Sequence, residues 1–325
     1  MYPTGYDPKL KWEETTTWDA GVDVAFLNNR ISASLDFYLR KSKDLLSYVS
    51  VPSGSSTTNM MNQNIGTLKN QGVEFSITAR PIVTKDFTWT ASYNVAYNKN
   101  EITKLNNDGS YIETGAISSA NGNNCQVQAV GHPVNSFYLF EQVYDKDGKP
   151  LEGVYVDQNN DGVINDDDRR IYHSKDPKVT MSFSSTFNWK NWDLGIAMHA
   201  NIGNYVYADA MSDHAVVDDC WKNGKLNNLI QTDYYFNGTV NPAVGIMKSD
   251  YWLRNASFLR CDNITLGHTW PYLLDNKMRL RLYGAVQNPF VITKYKGLDP
   301  EVASGIDRDV YPRATTFTIG VVASF

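Results

Sequence analysis

The chain has 325 residues, 13% of them aromatic, and a mean hydropathy of −0.41. Its net charge of −5 argues against a nucleic-acid partner, which would favour a basic surface. No stretch approaches the ~18 uninterrupted apolar residues of a membrane-spanning helix. Many aromatic residues at low mean hydropathy suit either a transmembrane β-barrel, whose apolar positions alternate with polar ones, or a secreted soluble β-protein.

Hairpins with alternating apolar and polar residues recur along the chain, and this alternation places side chains on the two faces of a strand. In the first hairpin every second residue is apolar from Trp18 to Phe26 and from Ile31 to Leu39. The same pattern predicts hairpins of 73–79 with 87–97, 179–189 with 192–200 and 257–269 with 279–290, and a final strand over 315–325. The sequence therefore predicts about nine long antiparallel strands.

The connections between these strands have two very different lengths. Short turns such as Leu27–Arg30 alternate with long connections over 47–68, 103–178, 208–256 and 291–314. Short periplasmic turns and long extracellular loops are typical of bacterial outer-membrane barrels. The sequence thus predicts an all-β, partial transmembrane antiparallel β-barrel over 1–325, with 103–178 as a long extracellular loop.

Strand number and the N-terminus add a further expectation. Single-chain bacterial barrels have even strand numbers, so nine strands with a free first edge cannot close. Met1–Gly5 lacks the basic start and apolar core of a signal peptide, which an outer-membrane protein requires. We therefore expect the chain to be the C-terminal portion of a longer barrel. The alternative is a secreted, calcium-stabilised β-sandwich that binds glycans.

Several stretches, in one order across nearly the whole chain, resemble the C-terminal barrel part of SusC/RagA-type TonB-dependent outer-membrane transporters. Each motif is weak alone, but together they are specific. They are Leu10–Glu13, Leu68–Phe75, Tyr93–Asn100, Gly131–Tyr138, Asp157–Gly162, Leu259–Gly267, Gln287–Phe290, Thr293–Glu301 and Tyr311–Arg313.

This resemblance implies a place for the chain in a larger machine. It implies the last nine strands of a 22-stranded barrel plugged by an N-terminal domain, in the bacterial outer membrane. It further implies energised import of oligosaccharides or, in some members, peptides, with a SusD-like surface lipoprotein over the loops and the TonB complex acting on the N-terminal part. Phe325 matches the terminal aromatic that such barrels present to the barrel assembly machinery. The plug and the TonB box are not in this sequence.

One motif predicts a metal site. Its residues fall at positions 1, 3, 5, 7, 9 and 12 of an EF-hand-like loop, whose oxygen atoms converge on calcium. Gly162 allows the sharp turn, whereas an aspartate at position 12 is shorter than the usual glutamate. The alternative is an acidic turn held by its own hydrogen bonds, without an ion. The predicted Ca²⁺ ligands are Asp157, Asn159, Asp161, Val163, Asn165 and Asp168.

Other functional residues are predicted less specifically. The aromatic side chains of Trp221, Tyr234, Tyr235 and Trp252 are candidates to stack on a glycan, or alternatively to pack the loops or contact the lid protein. Cys125 and Cys220 both fall in predicted external loops and either pair or stay free. No GxSxG, HExxH or phosphate-binding glycine loop is present, and adjacent acids such as Asp166–Asp168 are not a glycosidase pair. The sequence therefore predicts no catalytic residues and no enzyme.

Overall fold

The computed structural model is 66% strand and 4% helix, which confirms the all-β prediction. It describes residues 5, 7–50, 54, 58, 60–105, 111–117, 124–213, 221–222, 224–226, 248–273, 275, 277–308 and 310–325. Among these residues no helix has the length and hydropathy to cross a bilayer. In chain order the elements are β1 (Glu14–Phe26), β2 (Ile31–Lys43), β3 (Leu46–Ser50), β4 (Met60–Asn64), β5 (Gly66–Val83), β6 (Phe87–Leu105), β7 (Tyr111–Ala116), β8 (Asn124–Ala129), β9 (Ser136–Leu139), β10 (Gln142–Tyr144), β11 (Pro150–Tyr155), β12 (Arg170–Ser174), β13 (Val179–Trp189), β14 (Trp192–Ile202), β15 (Tyr205–Tyr207), α1 (Asp209–Asp213), β16 (Trp221–Lys222), β17 (Lys225–Leu226), β18 (Leu253–Asn255), β19 (Phe258–Leu273), β20 (Met278–Thr293) and β21 (Thr316–Ser324).

Nine of these strands form one antiparallel sheet in the order β1-β2-β5-β6-β13-β14-β19-β20-β21. Each strand pairs with the next long strand in the chain, so the predicted succession of hairpins is confirmed. Four short turns join neighbouring strands at one end of the strands. Longer connections, which carry the smaller sheets, join them at the opposite end.

The register gives the sheet one apolar and one polar face. Leu35, Phe75 and Val95 lie side by side across β2, β5 and β6. On the other face Ser34, Ser76 and Asn94 occupy neighbouring positions. We call these the outer and inner faces. Large apolar side chains remain exposed on the outer face, up to 84% at Ile319, as expected for a surface that meets lipid.

The long connections carry a compact structure of their own. Strands β7, β8, β9 and β12 form a four-stranded sheet, and β10–β11, β15–β18 and β3–β4 form two-stranded sheets. Their hydrophobic core joins distant parts of the chain. We call it the loop core: Ile117, Cys125, Phe137, Leu139, Tyr207, Tyr251, Trp252 and Ile306.

Two predicted strands are shorter than the observed ones on the side of the long loops. β5 begins at Gly66 rather than at 73, and β6 continues to Leu105. Their additional residues pair with each other, for example Asn70 with Asn100. Most of these residues are polar and the few apolar ones, Leu68, Ile102 and Leu105, do not recur at every second position, so no sustained alternation marks these positions as strand.

Candidate functional site: the inner face and the loops

Hydroxyl and amide side chains cover the inner face and bind one another across strands. Ser34 and Ser76 share a hydrogen bond of 2.6 Å between their Oγ atoms. The Asn94 amide donates to Ser182 Oγ at 3.0 Å. A cavity of about 360 Å³ opens on these residues. The inner face is therefore a polar wall suited to hydrated or hydrogen-bonding contents.

A charged network links this wall to the connection between β20 and β21. Arg260 of β19 donates through Nη2 to Asp299 Oδ1 at 2.6 Å, and both side chains are 5% exposed. The second oxygen of Asp299 pairs with Arg313 Nε at 3.1 Å. Arg313 also reaches Glu301 Oε2 at 2.8 Å. This connection is therefore held against the sheet by buried charge.

His199 extends the same network. It lies on β14 between two carboxylates, with Nδ1 2.8 Å from Asp262 Oδ1 and Nε2 3.5 Å from Glu301 Oε2. Asp262 occupies an irregularity in the β19–β20 pairing, which lets its side chain approach the histidine. The network was not predicted. Its acidic partners and Arg260 do lie inside two stretches that carry the family resemblance, Leu259–Gly267 and Thr293–Glu301.

The connection between β20 and β21 also reaches the loop core. The buried Asp209 of α1 accepts a hydrogen bond from Arg308 Nε at 3.0 Å. Tyr295 Oη donates to Asp307 Oδ2 at 2.5 Å, and Gln126 Nε2 of β8 donates to the Ser304 carbonyl at 2.8 Å. One segment thus fastens both the sheet and the loop core.

The predicted calcium loop is compact. Asp157 accepts hydrogen bonds from the backbone N–H groups of Asn160 (2.7 Å) and Gly162 (2.9 Å). Asp168 is fully buried and accepts from Asn165 N and Gln158 N, both at 2.8 Å. The backbone hydrogen bond from Asn165 is the main cause that lowers the Asp168 pKa.

Not all the predicted ligands converge in this loop. The Asp161 carboxylate accepts hydrogen bonds from the backbone N–H of Val163 at 2.8 Å and from Asn159 Nδ2 at 2.9 Å, both within the loop. Asn165 caps the 3-10 helix Asp166–Asp168. Among the described residues no group of three or more His, Cys, Asp or Glu side chains is arranged to hold a metal. The donor types fit calcium, and calcium binding remains a prediction.

The other predicted residues have different surroundings. Trp252 is fully buried in the loop core, so here it packs the loops rather than faces a ligand. Trp221 begins β16, and Tyr234, Tyr235 and Cys220 lie outside the described residues. Cys125 is buried, and burial raises the pKa of its thiol. Phe325 follows β21 with its side chain exposed.

An apolar outer face, a polar inner face and loops gathered at one end of the strands define the wall of a membrane β-barrel. The TonB dependent receptor-like, beta-barrel family model matches residues 1–288. The chain belongs to this family of bacterial outer-membrane proteins, which are receptors and transporters rather than enzymes. This confirms the predicted class and location, and the β-sandwich alternative is wrong because the long strands form one continuous sheet.

Similar proteins specify the branch of the family. The chain is 46% identical to the TonB-dependent receptor SusC of Bacteroides thetaiotaomicron over 99% of its own length. It is 31% identical to the TonB-dependent receptor P3 of Formosa agariphila over 97%. A solved structure of the RagAB peptide transporter matches 98% of the chain with a TM-score of 0.78 at 27% identity. The chain spans about a third of these relatives, namely 33%, 34% and 36% of each.

Proposed function

We propose that this chain forms part of the barrel wall and extracellular loops of a TonB-dependent importer that takes up nutrients with a SusD-like surface lipoprotein. The observation that carries this proposal is the 46% identity to SusC across the whole chain. The polar inner face supports it, because a hydrogen-bonding wall suits a hydrated passage. Energy coupling through TonB would act on parts of the receptor outside this chain.

Oligosaccharides are the proposed cargo. The support is the family resemblance, the greater identity to SusC than to the RagAB peptide transporter match, and the aromatic loop residues. Trp221, Tyr234 and Tyr235 are the proposed stacking residues, since aromatic faces pack well against sugar rings. Trp252 instead supports the loops from the loop core.

Uptake by whole cells tests the cargo. The gene that encodes this chain would be deleted and restored, and uptake of mixed fluorescently labelled oligosaccharides and of a labelled tryptic peptide mixture would be measured. We expect oligosaccharide uptake to disappear on deletion and to return with the gene, while peptide uptake stays unchanged. Loss of peptide uptake alone would contradict the cargo. Unchanged uptake of both would overturn the importer.

The lipoprotein partner is tested separately. The tagged receptor would be extracted in mild detergent and its mass measured on native gels, and co-purifying proteins would be examined by mass spectrometry for N-terminal acyl chains. We expect one stoichiometric acylated partner. A receptor that migrates alone under conditions that preserve its folded state would contradict the partnership.

Calcium binding by the 157–168 loop is a further part of the proposal. Its support is the ligand spacing and the left-handed turn at Gly162, with φ of 79°. Calorimetry with calcium should detect binding to the wild type and much weaker binding to Asp161→Ala. Equal heats for the two proteins, or none for the wild type, would refute the site.

A further inference from the structure

Aromatic side chains gather on the outer face beside the short turns. Trp189, Trp192 and Trp270 are 54%, 45% and 39% exposed. His268 lies between two of them, with its ring centre 4.5 Å from that of Trp192 and 4.4 Å from that of Trp270. Tryptophan and similar amphipathic rings prefer the level of lipid headgroups. This end of the outer face therefore lies at a membrane–water interface.

Every short turn at this end of the strands also carries an exposed basic residue. These are Arg30, Lys85, Lys190 and Lys277, one in each of the four turns. Lys190 lies with Nζ 5.7 Å from the centre of the Trp189 ring, which places its charge beside the outer face. Two of the four turns, 27–30 and 190–191, contain no acidic residue, although the whole chain carries a net charge of −5.

We propose that this end of the sheet binds the phosphate of anionic phospholipids in the periplasmic leaflet, through its four basic turn residues and the adjoining tryptophans. Short turns face the periplasm in outer-membrane barrels. Basic side chains next to a membrane attract anionic headgroups, while the flanking indoles occupy the region of the glycerol and upper acyl chains. The β13–β14 turn is the central contact because Lys190 lies there between Trp189 and Trp192.

Quenching of tryptophan fluorescence by brominated lipids tests this proposal on the reconstituted protein. The ratio of relative binding constants for dibrominated phosphatidylglycerol and dibrominated phosphatidylcholine would be compared between two double variants. Lys85→Gln/Lys190→Gln removes charge at the short turns. Lys146→Gln/Lys149→Gln removes the same charge from exposed lysines on the opposite, loop side.

We expect the wild type and the loop variant to prefer phosphatidylglycerol. The turn variant should lose this preference by about fivefold for each lysine removed at low ionic strength. Equal ratios in all three proteins would overturn the proposal. So would a preference abolished by soluble phosphate but not by chloride of equal ionic strength, because the site would then take free phosphate. Neither result depends on whether the protein imports nutrients.

Discussion

Arg260 and Asp299 form the most buried ion pair between the sheet and the β20–β21 connection. Removing Arg260 leaves the buried Asp299 carboxylate with only the partly exposed Arg313 as its partner, which is far more costly than losing an exposed pair. We expect Arg260→Met to destabilise the protein by about 3–5 kcal/mol. Thermal unfolding in detergent, followed by intrinsic fluorescence, would measure this change.

The matched control is Lys99→Met, which breaks the 3.2 Å pair with Glu101, where the lysine side chain is 55% exposed. Exposed pairs contribute less than about 1 kcal/mol. If both substitutions shifted the melting temperature equally, the network would not act as a buried fastening.

Asp168 makes the acidic loop sensitive to pH. Its folded-state pKa is lowered, chiefly by the N–H of Asn165, so its stabilising contribution is present above the ordinary aspartate pKa of about 3.9. This contribution is lost as the pH falls through the lower folded-state pKa. The protection of residues 157–168 against hydrogen exchange, relative to the intrinsic exchange rate at each pH, should therefore fall in acid, and Asp168→Asn should show fast exchange already at neutral pH.

Asp167→Asn is the control for that loop, because its exposed carboxylate lies in the same turn. It should leave exchange at neutral pH unchanged. Fast exchange in Asp167→Asn, or slow exchange in Asp168→Asn, would contradict the role of Asp168.

At the scale of elements, β13 allows the two faces of the sheet to be compared directly. Phe183 lies on the outer face between Tyr93 and Met198, whereas Ser182 borders the inner-face cavity. We expect Phe183→Arg to cost about 2–4 kcal/mol because it places a charge in hydrocarbon. Ser182→Arg should cost less, since it loses only the hydrogen bond from Asn94 and faces water.

Folding into lipid vesicles, measured by heat-dependent gel mobility across a urea series, would compare the two variants. Equal destabilisation would contradict the assignment of the faces. The comparison is well matched because the two residues are adjacent on one strand and receive the same side chain.

The strands could be predicted from sequence because one face meets lipid and the other does not. Because of this contrast, apolar residues recur at every second position in segments such as Phe317–Phe325. The alternation stops where most residues are polar, which is why the start of β5 and the end of β6 could not be predicted. Arg260 and Asp299 are 39 residues apart, and no local pattern connects residues that meet only after the loops fold. Trp252 illustrates the same limit, because an aromatic residue in a loop carries no sign of whether it packs or binds.

The whole molecule consists of a membrane sheet and a loop core that have different sources of stability. The sheet is held by strand pairing and by lipid on its outer face. The loop core is held by burial of side chains from several separate segments, including Leu139 and Trp252, both fully buried. The β20–β21 connection joins the two, because its Asp299 pairs with Arg260 of the sheet and its Arg308 binds Asp209 of α1.

The loop core should therefore lose structure as one unit while the sheet remains. Leu139→Ala removes buried side-chain volume and should cost about 2–5 kcal/mol, whereas Leu151→Ala, at an exposed position of β11, should cost little. Hydrogen exchange is expected to accelerate together in 124–139, 205–209, 250–254 and 302–308, because all four segments contribute to this core or to its fastening. Exchange in β6 and β13 should stay unchanged. Acceleration confined to β9 would instead mean that the loops fold independently of one another.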